Sequence, residues 1–589
     1  MKPYSLTNTI DSTFPKPGNA SLLRVTVLMF AIALLAAIKS SGQAIPPPGL
    51  QIGSPNTATA DPPVPRPRTT PCVVQLFSNI AFANFSPKLF SFTPPAACPG
   101  PWAKVVLEAD FSIQAGRQFD RTANIWIGGT NVYFGTTSEP SRTVARSWHI
   151  ERDLTDYSAL FNAPQNGRVD LGNLVNSTFT STLFGTAELQ FYPLERRQEP
   201  LRTADLVLPL SSSNNGGSVF LNTFANALSQ TFTLPLNVEQ AFLDVIAQSQ
   251  ANDEFWYTCV PNDVANELQS CGSTGFRESE VSIDGTPAGV APVYPWIYTG
   301  GIDPLLWRPI PGVQTLNFVP YRVDLSPFAG VLSNGQPHTV SVNVFNSDFG
   351  FSTTATLLVF LDHGSTQVTG AVTENTIGSA PTPNVVENLT NTNGNITGSV
   401  TVTSSRSFRV AGFVQTSHGR VESSVKQDIE FSNRQDFNIT NTAFIQNITQ
   451  DTTISSVTTR GHGGGNDEDA ATVQKQEWPL QLDFSFVVNP DGSGSQTTTI
   501  QQAFHKKEVA PGNNGPVFSI VSNSVSPSDT LLFDSNFNIT GSQNQANTQR
   551  YFTKDSGGDC FSRTITAAAG LLTNITDGAG CNNGDNQGQ

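Results

Sequence analysis

The stretch that decides the fold is FDRTANIWIGGTNVYFGTT, residues 119–137. Apolar and polar residues alternate through its first half, so successive side chains point to opposite faces of a β-strand. Gly128 and Gly129 then interrupt the pattern, and a second run rich in β-forming residues follows. Short runs of this kind, separated by turn residues, recur from Cys72 onward. They predict an all-β protein of sandwich or jelly-roll architecture.

One face of the first run is polar. Alternation places Asp120, Thr122, Asn124 and Trp126 together, whereas Arg121 points to the opposite face. A carboxylate, a hydroxyl, an amide and an indole on one face suit a solvated surface, and they also suit a site that holds a polar, flat ligand. A direct contact between Arg121 and such a ligand requires a bulge or a strand end at that position.

The composition excludes several classes of function. The chain has 589 residues, 32 of them Lys or Arg, and a net charge of −15. It therefore lacks the basic surface that binds nucleic acid, and an anionic membrane surface is not favoured as a partner. The sequence contains no GxSxG, HExxH or P-loop motif, and its six histidines lack metal-ligand spacing. We expect no metal and no cofactor, so a hydrolase of this sequence would use carboxylates.

The chain divides into segments of different amino-acid composition. Residues 25–38 form an apolar run that is shorter than the roughly 20 residues of a membrane-spanning helix, which favours a secretory signal peptide over a signal anchor. The predicted segments are a signal peptide or anchor (1–44), a Pro-rich linker (45–71), two jelly-roll-like antiparallel β-sandwich domains (72–235 and 236–360), and a β-rich, Ser/Thr/Asn-rich C-terminal region (361–589).

The cysteines and the sequons agree with secretion. Six cysteines can pair in many ways, and proximity in the sequence favours the pairs Cys72–Cys98, Cys259–Cys271 and Cys560–Cys581. Eight Asn-x-Ser/Thr sequons follow the apolar run, and in a secreted chain they are candidate glycan carriers. We predict a secreted, extracellular or cell-wall glycoprotein. The alternative is a membrane-anchored protein whose N-terminal apolar segment is retained.

Three segments concentrate carboxylates among aromatic residues. They are FDR (119–121) leading to Trp126, DEFWY (253–257), and FRE (276–278), which is soon followed by YPWIYTGGIDPLLWRP (294–309). Aromatic faces stack on sugar rings, and burial raises the pKa of a neighbouring carboxyl group, as a general acid requires. The alternative is that the aromatic residues fill a β-core and that the Asp-Arg pair is a salt bridge at a strand edge.

These segments also carry a family resemblance. FDRTANIWIGG (119–129), EP (139–140), DLTDY (153–157), NDEFWYT (252–258), GFRE (275–278) and YTGGIDPLLWRPI (298–310) together resemble the peptide-N-glycanase A family of plants and fungi. The resemblance covers residues 72–350. It implies a hydrolase acting on N-glycosylated peptides or denatured glycoproteins. Such enzymes cut the amide between asparagine and the innermost GlcNAc, giving aspartate and a glycosylamine.

A more distant resemblance to bacterial enzymes of the PNGase F type concerns the catalytic residues. It implies two adjacent jelly rolls with the active site between them, and it implies Asp120 as the carboxylate that activates water. Arg121 would hold the peptide or the carboxylate. The match weakens at the other two acids, because Ser273 stands where one would align and Glu195 is one residue away from the other. Glu278 and Glu254 are the candidates for these roles.

Further predicted substrate-binding residues lie beside these carboxylates, and several offer aromatic faces for the sugar core. They are Asn124, Trp126, Trp256, Tyr257, Trp296, Trp307 and Arg308. Because the second and third acids depart from the bacterial pattern, two other functions stay open. One is a secreted carbohydrate-binding or cell-wall glycoprotein without catalysis, and the other is a retaining glycosidase.

Overall fold

The computed structural model describes residues 49–581 apart from residue 212, residues 463–470 and residues 513–514. The predicted signal segment and the apolar run within it lie outside the described residues. Within the described ranges the chain forms thirty β-strands and a few short helices. The predicted all-β class is therefore confirmed.

The first jelly roll contains two four-stranded sheets with the orders β1-β8-β3-β6 and β2-β7-β4-β5. These strands are β1 (Cys72–Phe82), β2 (Lys88–Phe92), β3 (Trp102–Ile113), β4 (Thr122–Ile127), β5 (Thr130–Thr136), β6 (Arg146–Asp153), β7 (Gln165–Leu171) and β8 (Leu183–Pro193). Their inward faces enclose an aromatic core in which the rings of Phe111 and Trp148 stack with centroids 5.5 Å apart.

The second jelly roll repeats this order in the sheets β10-β17-β12-β15 and β11-β16-β13-β14, and β9 adds to β17. Its strands are β9 (Leu206–Pro209), β10 (Val219–Thr223), β11 (Leu228–Thr233), β12 (Val238–Ser249), β13 (Glu278–Ile283), β14 (Thr286–Pro292), β15 (Tyr321–Asp324), β16 (Pro337–Phe345) and β17 (Asp348–Leu361). The predicted boundary at residue 235 is wrong, because β9 to β11 pair with β16 and β17. The first jelly roll ends with β8.

The C-terminal region forms one antiparallel sheet of thirteen strands. They are β18 (Thr369–Asn375), β19 (Asn384–Thr392), β20 (Asn395–Thr416), β21 (Gly419–Ile439), β22 (Ala443–His462), β23 (Ala471–Glu477), β24 (Leu480–Val488), β25 (Gly494–Ala510), β26 (Val517–Val525), β27 (Ser528–Phe533), β28 (Ile539–Asp555), β29 (Cys560–Ala568) and β30 (Leu571–Asp577). This sheet packs against the second jelly roll, where the Trp478 and Tyr294 rings meet at 5.4 Å.

Residues 49–71 do not behave as a free linker. The Gly53 amide donates to the Leu572 carbonyl at 2.7 Å, and the Ala58 amide donates to the Pro309 carbonyl at 3.0 Å. Arg66 pairs with Glu151 of β6 at 2.9 Å. These bonds satisfy backbone groups that an extended Pro-rich chain cannot pair internally. The segment predicted as a linker therefore ties the first jelly roll to the C-terminal sheet.

The helices are short and lie between strands. They are the 3-10 turns Thr155–Asn162, Ala251–Asp253, Trp256–Thr258 and Ser326–Phe328, and the α-helical turns Asn262–Ala265 and Ala329–Leu332. None of the helices in the described ranges has both the length and the apolar character needed to cross a bilayer. The three predicted disulfides, Cys72–Cys98, Cys259–Cys271 and Cys560–Cys581, are confirmed.

Candidate active site

Asp120 and Arg121 lie just before β4, at the end of the loop that follows β3. The Thr137 hydroxyl accepts a hydrogen bond from the Arg121 amide at 2.9 Å, and the Thr137 amide donates to the Arg121 carbonyl at 2.8 Å. The position is therefore a strand end, where side-chain alternation no longer applies. The Arg121 guanidinium donates to the Gln118 side chain at 2.8 Å and lies 5.8 Å from the Phe119 ring centroid.

The half-buried carboxylate of Asp120 meets a backbone amide of the other jelly roll. The Gly300 N–H donates to Asp120 Oδ2 at 3.0 Å. Gly300 belongs to the long segment between β14 and β15, and the neighbouring Thr299 hydroxyl donates to the Thr137 carbonyl at 2.6 Å. The loop before β4 and this segment are therefore joined directly, and Asp120 lies where the two jelly rolls meet.

The charge of Asp120 acts on two more carboxyl groups, those of Glu139 and Glu254. Glu139 lies in the loop after β5, and Arg308 donates to its Oε1 at 3.1 Å. Arg308 also donates to the Pro140 carbonyl, which anchors this ion pair between the jelly rolls. Glu254 lies in the loop after β12 and is half-buried. The structure thus brings together three carboxyl groups from three separate loops.

Burial raises the pKa of all three groups, but their surroundings differ. Burial raises the pKa of Asp120, whereas the Gly300 N–H and the positive charge of Arg121 oppose the rise. Burial and the charge of Asp120 raise the pKa of Glu254 to about 7. Burial and Asp120 also raise the pKa of Glu139, against the opposing effect of Arg308. Asp120 therefore has donors that favour its ionised form, while Glu254 is favoured in its neutral form at acidic pH.

A buried ion pair supports the loop that carries Glu254. Asp253 and Arg277 have fully buried side chains, and their charged atoms are 2.7 Å apart. Arg277 also donates to the carbonyls of Ser273 and Phe276, each at 2.8 Å. Removing one partner of a buried pair leaves an uncompensated charge, which is strongly destabilising. The Phe-Arg motif therefore has a structural role beside the site.

The structure contradicts the prediction that Glu278 joins Asp120. Glu278 begins β13 and is buried against β20, where Arg406 donates to its carboxylate and, at 2.6 Å, to that of Glu280. Burial and the charge of Glu280 raise the pKa of Glu278. Its partners come from the interface with the C-terminal sheet. Glu195 lies in an exposed turn after β8 and is not part of the group either.

The structure also contradicts a stacking role for the predicted aromatic residues. Trp126, Trp256, Tyr257, Trp296 and Trp307 are each at most 4 % exposed. A Cβ on Gly216 would lie 2.5 Å from the Trp126 ring, so a loop of the second jelly roll covers that indole. The Trp307 indole donates to the Gly301 carbonyl at 3.0 Å. These side chains shape and hold the loops, and their faces are not open to a sugar.

Of the predicted polar residues, Arg308 lies at the group of three carboxyl residues, whereas Asn124 lies in the structure around it. Asn124 is buried, and its side-chain oxygen accepts from Asn131 at 3.1 Å. Arg308 is at the group, but it contacts Glu139. Two of the accessible aromatic residues are Phe119, which is 36 % exposed, and Phe255, which is half-buried with its ring 3.1 Å from the position of a Gly301 Cβ. They flank Asp120 and Glu254 in the sequence.

A family model for the peptide N-acetyl-beta-D-glucosaminyl asparaginase amidase A family matches residues 62–376. The chain belongs to this family. The model of a PNGase A C-terminal domain matches residues 399–480. The chain is similar to the peptide-N4-(N-acetyl-beta-glucosaminyl)asparagine amidase A of Prunus dulcis, with 29 % identity over 548 residues, which cover 88 % of this chain and 92 % of that protein. The family resemblance of the sequence is thereby confirmed.

Two solved structures are also similar to part of the chain. PNGF-II matches with 14 % identity over 49 % of this chain and 65 % of its own, at a TM-score of 0.34. PNGase F, a glycosylasparaginase from Flavobacterium meningosepticum, matches with 12 % identity over 49 % of this chain and 96 % of its own, at a TM-score of 0.32.

Two members of the site were not among the predicted site residues. Glu139 was present in the EP motif, which pointed to the family but gave no role to the carboxylate. Gly300 lies in the family motif YTGGIDPLLWRPI, and its glycine pair was the available signal, since adjacent glycines suit close backbone approach. The contact between Gly300 and Asp120 joins positions 180 residues apart, and no local pattern shows such a pairing.

We expect Gly300→Ala to lower kcat at least about tenfold while the protein stays folded. The new Cβ would lie 2.4 Å from Asp120 Oδ1, so the carboxylate must turn away, and a displacement of about 1 Å can reduce a rate by roughly 10²-fold. Steady-state kinetics on a glycopeptide and a thermal unfolding curve measure the two effects. Gly378→Ala is the control, because Gly378 is a loop glycine without a positive φ, and its added Cβ would have no neighbour closer than 3.9 Å. Unchanged kcat in Gly300→Ala would remove Gly300 from the site.

Proposed function

We propose that Asp120, Glu254 and Glu139 perform the glycoamidase reaction of this family, the hydrolysis of the amide between asparagine and the innermost GlcNAc of an N-linked glycan. The observation that carries the proposal is the meeting of three carboxyl groups with raised pKa at the junction of the jelly rolls. An amide is a weak electrophile with a poor leaving group. Its hydrolysis needs an activated water, stabilisation of the oxyanion and a proton for the nitrogen.

Asp120 is proposed as the general base. The Gly300 N–H and Arg121 favour its ionised form, and the carboxylate can take a proton from water as the oxygen attacks the asparagine carbonyl. The Arg121 guanidinium acts on the charge of Asp120, and the Arg308 guanidinium acts on that of Glu139. They are proposed to offset the negative charge that develops on the carbonyl oxygen.

Glu254 is proposed as the general acid. With a pKa of about 7 it is protonated in acidic surroundings, and it can give that proton to the nitrogen as the carbon–nitrogen bond breaks. The glycan leaves as a glycosylamine, and the asparagine becomes aspartate. Glu139 is proposed to hold Arg308 in place through their ion pair of 3.1 Å.

The accessible aromatic side chains give the proposed substrate a place to bind. Phe119 and Phe255 adjoin the two catalytic carboxyl groups in the sequence and are partly open to solvent, so we assign the sugar contact to them in place of the buried tryptophans. The three disulfides support a route through an oxidising compartment and hence secretion. N-glycosylated peptides and denatured glycoproteins are the proposed substrates.

Mass spectrometry of a synthetic glycopeptide incubated with the full chain tests this function. We expect the released peptide to be about 1 Da heavier than the unglycosylated peptide with asparagine at that position, since hydrolysis of the amide gives aspartate. In H₂¹⁸O the new carboxylate should carry one heavy oxygen from water. A glycosidase would instead leave GlcNAc on the peptide. Binding without any change in peptide mass would favour the non-catalytic carbohydrate-binding alternative.

A further inference from the structure

The C-terminal sheet faces the loops of the active site with buried side-chain amides. On β21 and β22 these amides are Asn433, Gln435, Gln446 and Gln450, each at most 4 % exposed. Asn433 and Gln450 lie directly opposite each other in the sheet register. Long amide side chains are seldom buried without a hydrogen-bonded function, so their partners indicate what this face does.

The first set of partners is the loop that carries Glu254. Asn433 Nδ2 donates to the Tyr257 carbonyl at 2.9 Å, and Gln435 Nε2 donates to the Cys259 carbonyl at 2.8 Å. Gln446 donates to the Thr258 carbonyl at 3.3 Å. Residues 256–258 form a single 3-10 turn, which leaves these carbonyls without partners in regular structure. The amides of the sheet donate to all three carbonyls, and the Thr258 carbonyl also accepts from the Ser270 hydroxyl at 2.8 Å.

The amides also fix one another. Gln435 Nε2 donates to Asn433 Oδ1 at 2.9 Å, Asn433 Nδ2 donates to Gln450 Oε1 at 2.9 Å, and Gln446 Nε2 donates to Gln435 Oε1 at 2.7 Å. Asn433 and Gln435 therefore each have both the oxygen and the nitrogen of the amide oriented by a neighbouring amide. We call this connected set the amide ladder. It defines the direction in which every donor points at the loop.

A second set of amides holds the segment that carries Gly300 and Arg308. Gln502 of β25 donates to the Pro295 carbonyl at 2.7 Å. Asn547 of β28 donates to the Leu306 and Ile310 carbonyls at 3.2 and 3.0 Å. Gln545 of the same strand donates to the Leu305 carbonyl. Both loops that bring groups to Asp120 from the second jelly roll are thus held by the same sheet.

The two loops are also joined to each other. The Tyr298 hydroxyl, two residues before Gly300, donates to the Ser249 carbonyl at 2.7 Å. The Ser249 hydroxyl donates to the Glu254 carbonyl at 3.3 Å. A displacement of either loop from the sheet would therefore change the separation between Glu254 and Asp120, and it would admit water around Glu254.

We propose that the C-terminal sheet is a positioning element of the active site, in which the amide ladder places Glu254 and the second amide set places Gly300 and Arg308. The amides touch no substrate and act through the loops. The inference rests on the proposed roles of Asp120 and Glu254. It gives the region after residue 361 a part in the reaction beyond stabilising the fold.

Gln435→Met in the full chain tests the amide ladder, because methionine keeps the length of the side chain and removes the donor. We expect kcat to fall about tenfold or more with a small change in KM, since the loop carries a catalytic group. Burial raises the pKa of Glu254, and a loosened loop would expose its carboxyl group to water and lower that pKa. The fall of kcat/KM with rising pH should therefore occur at a lower pH than in the wild type. The other titratable groups acting with Glu254 are Asp120, Tyr257 and Tyr298.

Gln427→Met is the matched control. Gln427 is a buried amide on the same strand, and its nitrogen donates to the Tyr321 hydroxyl at 2.5 Å, away from both loops. We expect it to lower the unfolding midpoint without moving the pH profile. Gln446→Met, whose bond to the loop is longer at 3.3 Å, serves if Gln435→Met does not fold.

Three outcomes decide the matter. A folded Gln435→Met or Gln446→Met variant with unchanged kcat and an unchanged pH profile would overturn the proposal. An equal shift of the profile in Gln427→Met would also overturn it, because loss of any buried amide would then have the same effect. Failure of the proposed function itself is distinguishable, since the wild-type chain would then release no glycosylamine at any pH.

Discussion

Replacement of Asp120 by asparagine is expected to reduce glycan release by roughly 10²–10⁴-fold, the usual contribution of a general base. Asparagine has nearly the same shape, and its side-chain oxygen can still accept the Gly300 N–H that lies 3.0 Å from Asp120 Oδ2. It cannot accept a proton from water. The measurement is kcat/KM on a glycopeptide, followed by the appearance of the aspartate product.

The fold should survive this change or gain stability. Burial raises the pKa of Asp120 above its ordinary value, so the ionised carboxylate opposes folding at pH values above its unfolded pKa. A neutral asparagine removes that cost, and we expect the unfolding midpoint at neutral pH to stay the same or rise. Loss of activity together with an unchanged or higher midpoint separates a catalytic role from a structural one.

Asp156→Asn provides the comparison within the first jelly roll. Asp156 pairs with Arg322 at 2.7 Å and lies in a 3-10 turn away from the three carboxyl groups. The Asp156 side chain is 48 % exposed, and such solvent-exposed pairs contribute about 0–1 kcal/mol. We expect full activity and a small change in stability. If Asp120→Asn retained the turnover of Asp156→Asn, the assignment of the base would be wrong.

The β-class was predictable because each strand has its own alternating or apolar run bounded by turn residues. Alternation and turn residues gave the β-class, and the strand beginning at Thr122 was visible in TANIWI. The division between the jelly rolls was placed too late, because β9 to β11 resemble strands of either domain in the sequence. Their membership is decided by hydrogen bonds to β16 and β17, more than 100 residues away in the chain.

The candidate active site was only partly predictable for the same reason. Asp120 and Glu254 stand out beside aromatic residues, and the structure brings both to one place. Glu278 has the same local features but faces Arg406, which is 128 positions away. The indole of Trp256 is buried against Phe431 of the C-terminal sheet, with ring centroids 6.5 Å apart. Burial by a remote sheet cannot be inferred from an aromatic residue next to a carboxylate.

Glu254→Gln is expected to lower kcat/KM by roughly 10²–10⁴-fold, since glutamine cannot donate a proton to the leaving nitrogen. The effect should depend on pH. In the wild-type chain, activity that needs protonated Glu254 should fall as the pH rises through its pKa of about 7. In the variant that fall should disappear, and the remaining activity should not change with pH in the range around 7. Rates measured from pH 4 to pH 9, at about half-unit intervals, distinguish the two profiles.

Two variants make this assignment specific to Glu254. Glu267→Gln changes an exposed carboxylate that accepts from Asn391 at 2.6 Å, and it should leave the profile unchanged. In Asp120→Asn the residual activity should fall at a lower pH than in the wild type, because the charge of Asp120 helps to raise the pKa of Glu254. If kcat/KM of Glu254→Gln still falls as the pH rises through about 7, the proton donor is another residue. Glu139 is then the next residue to be tested.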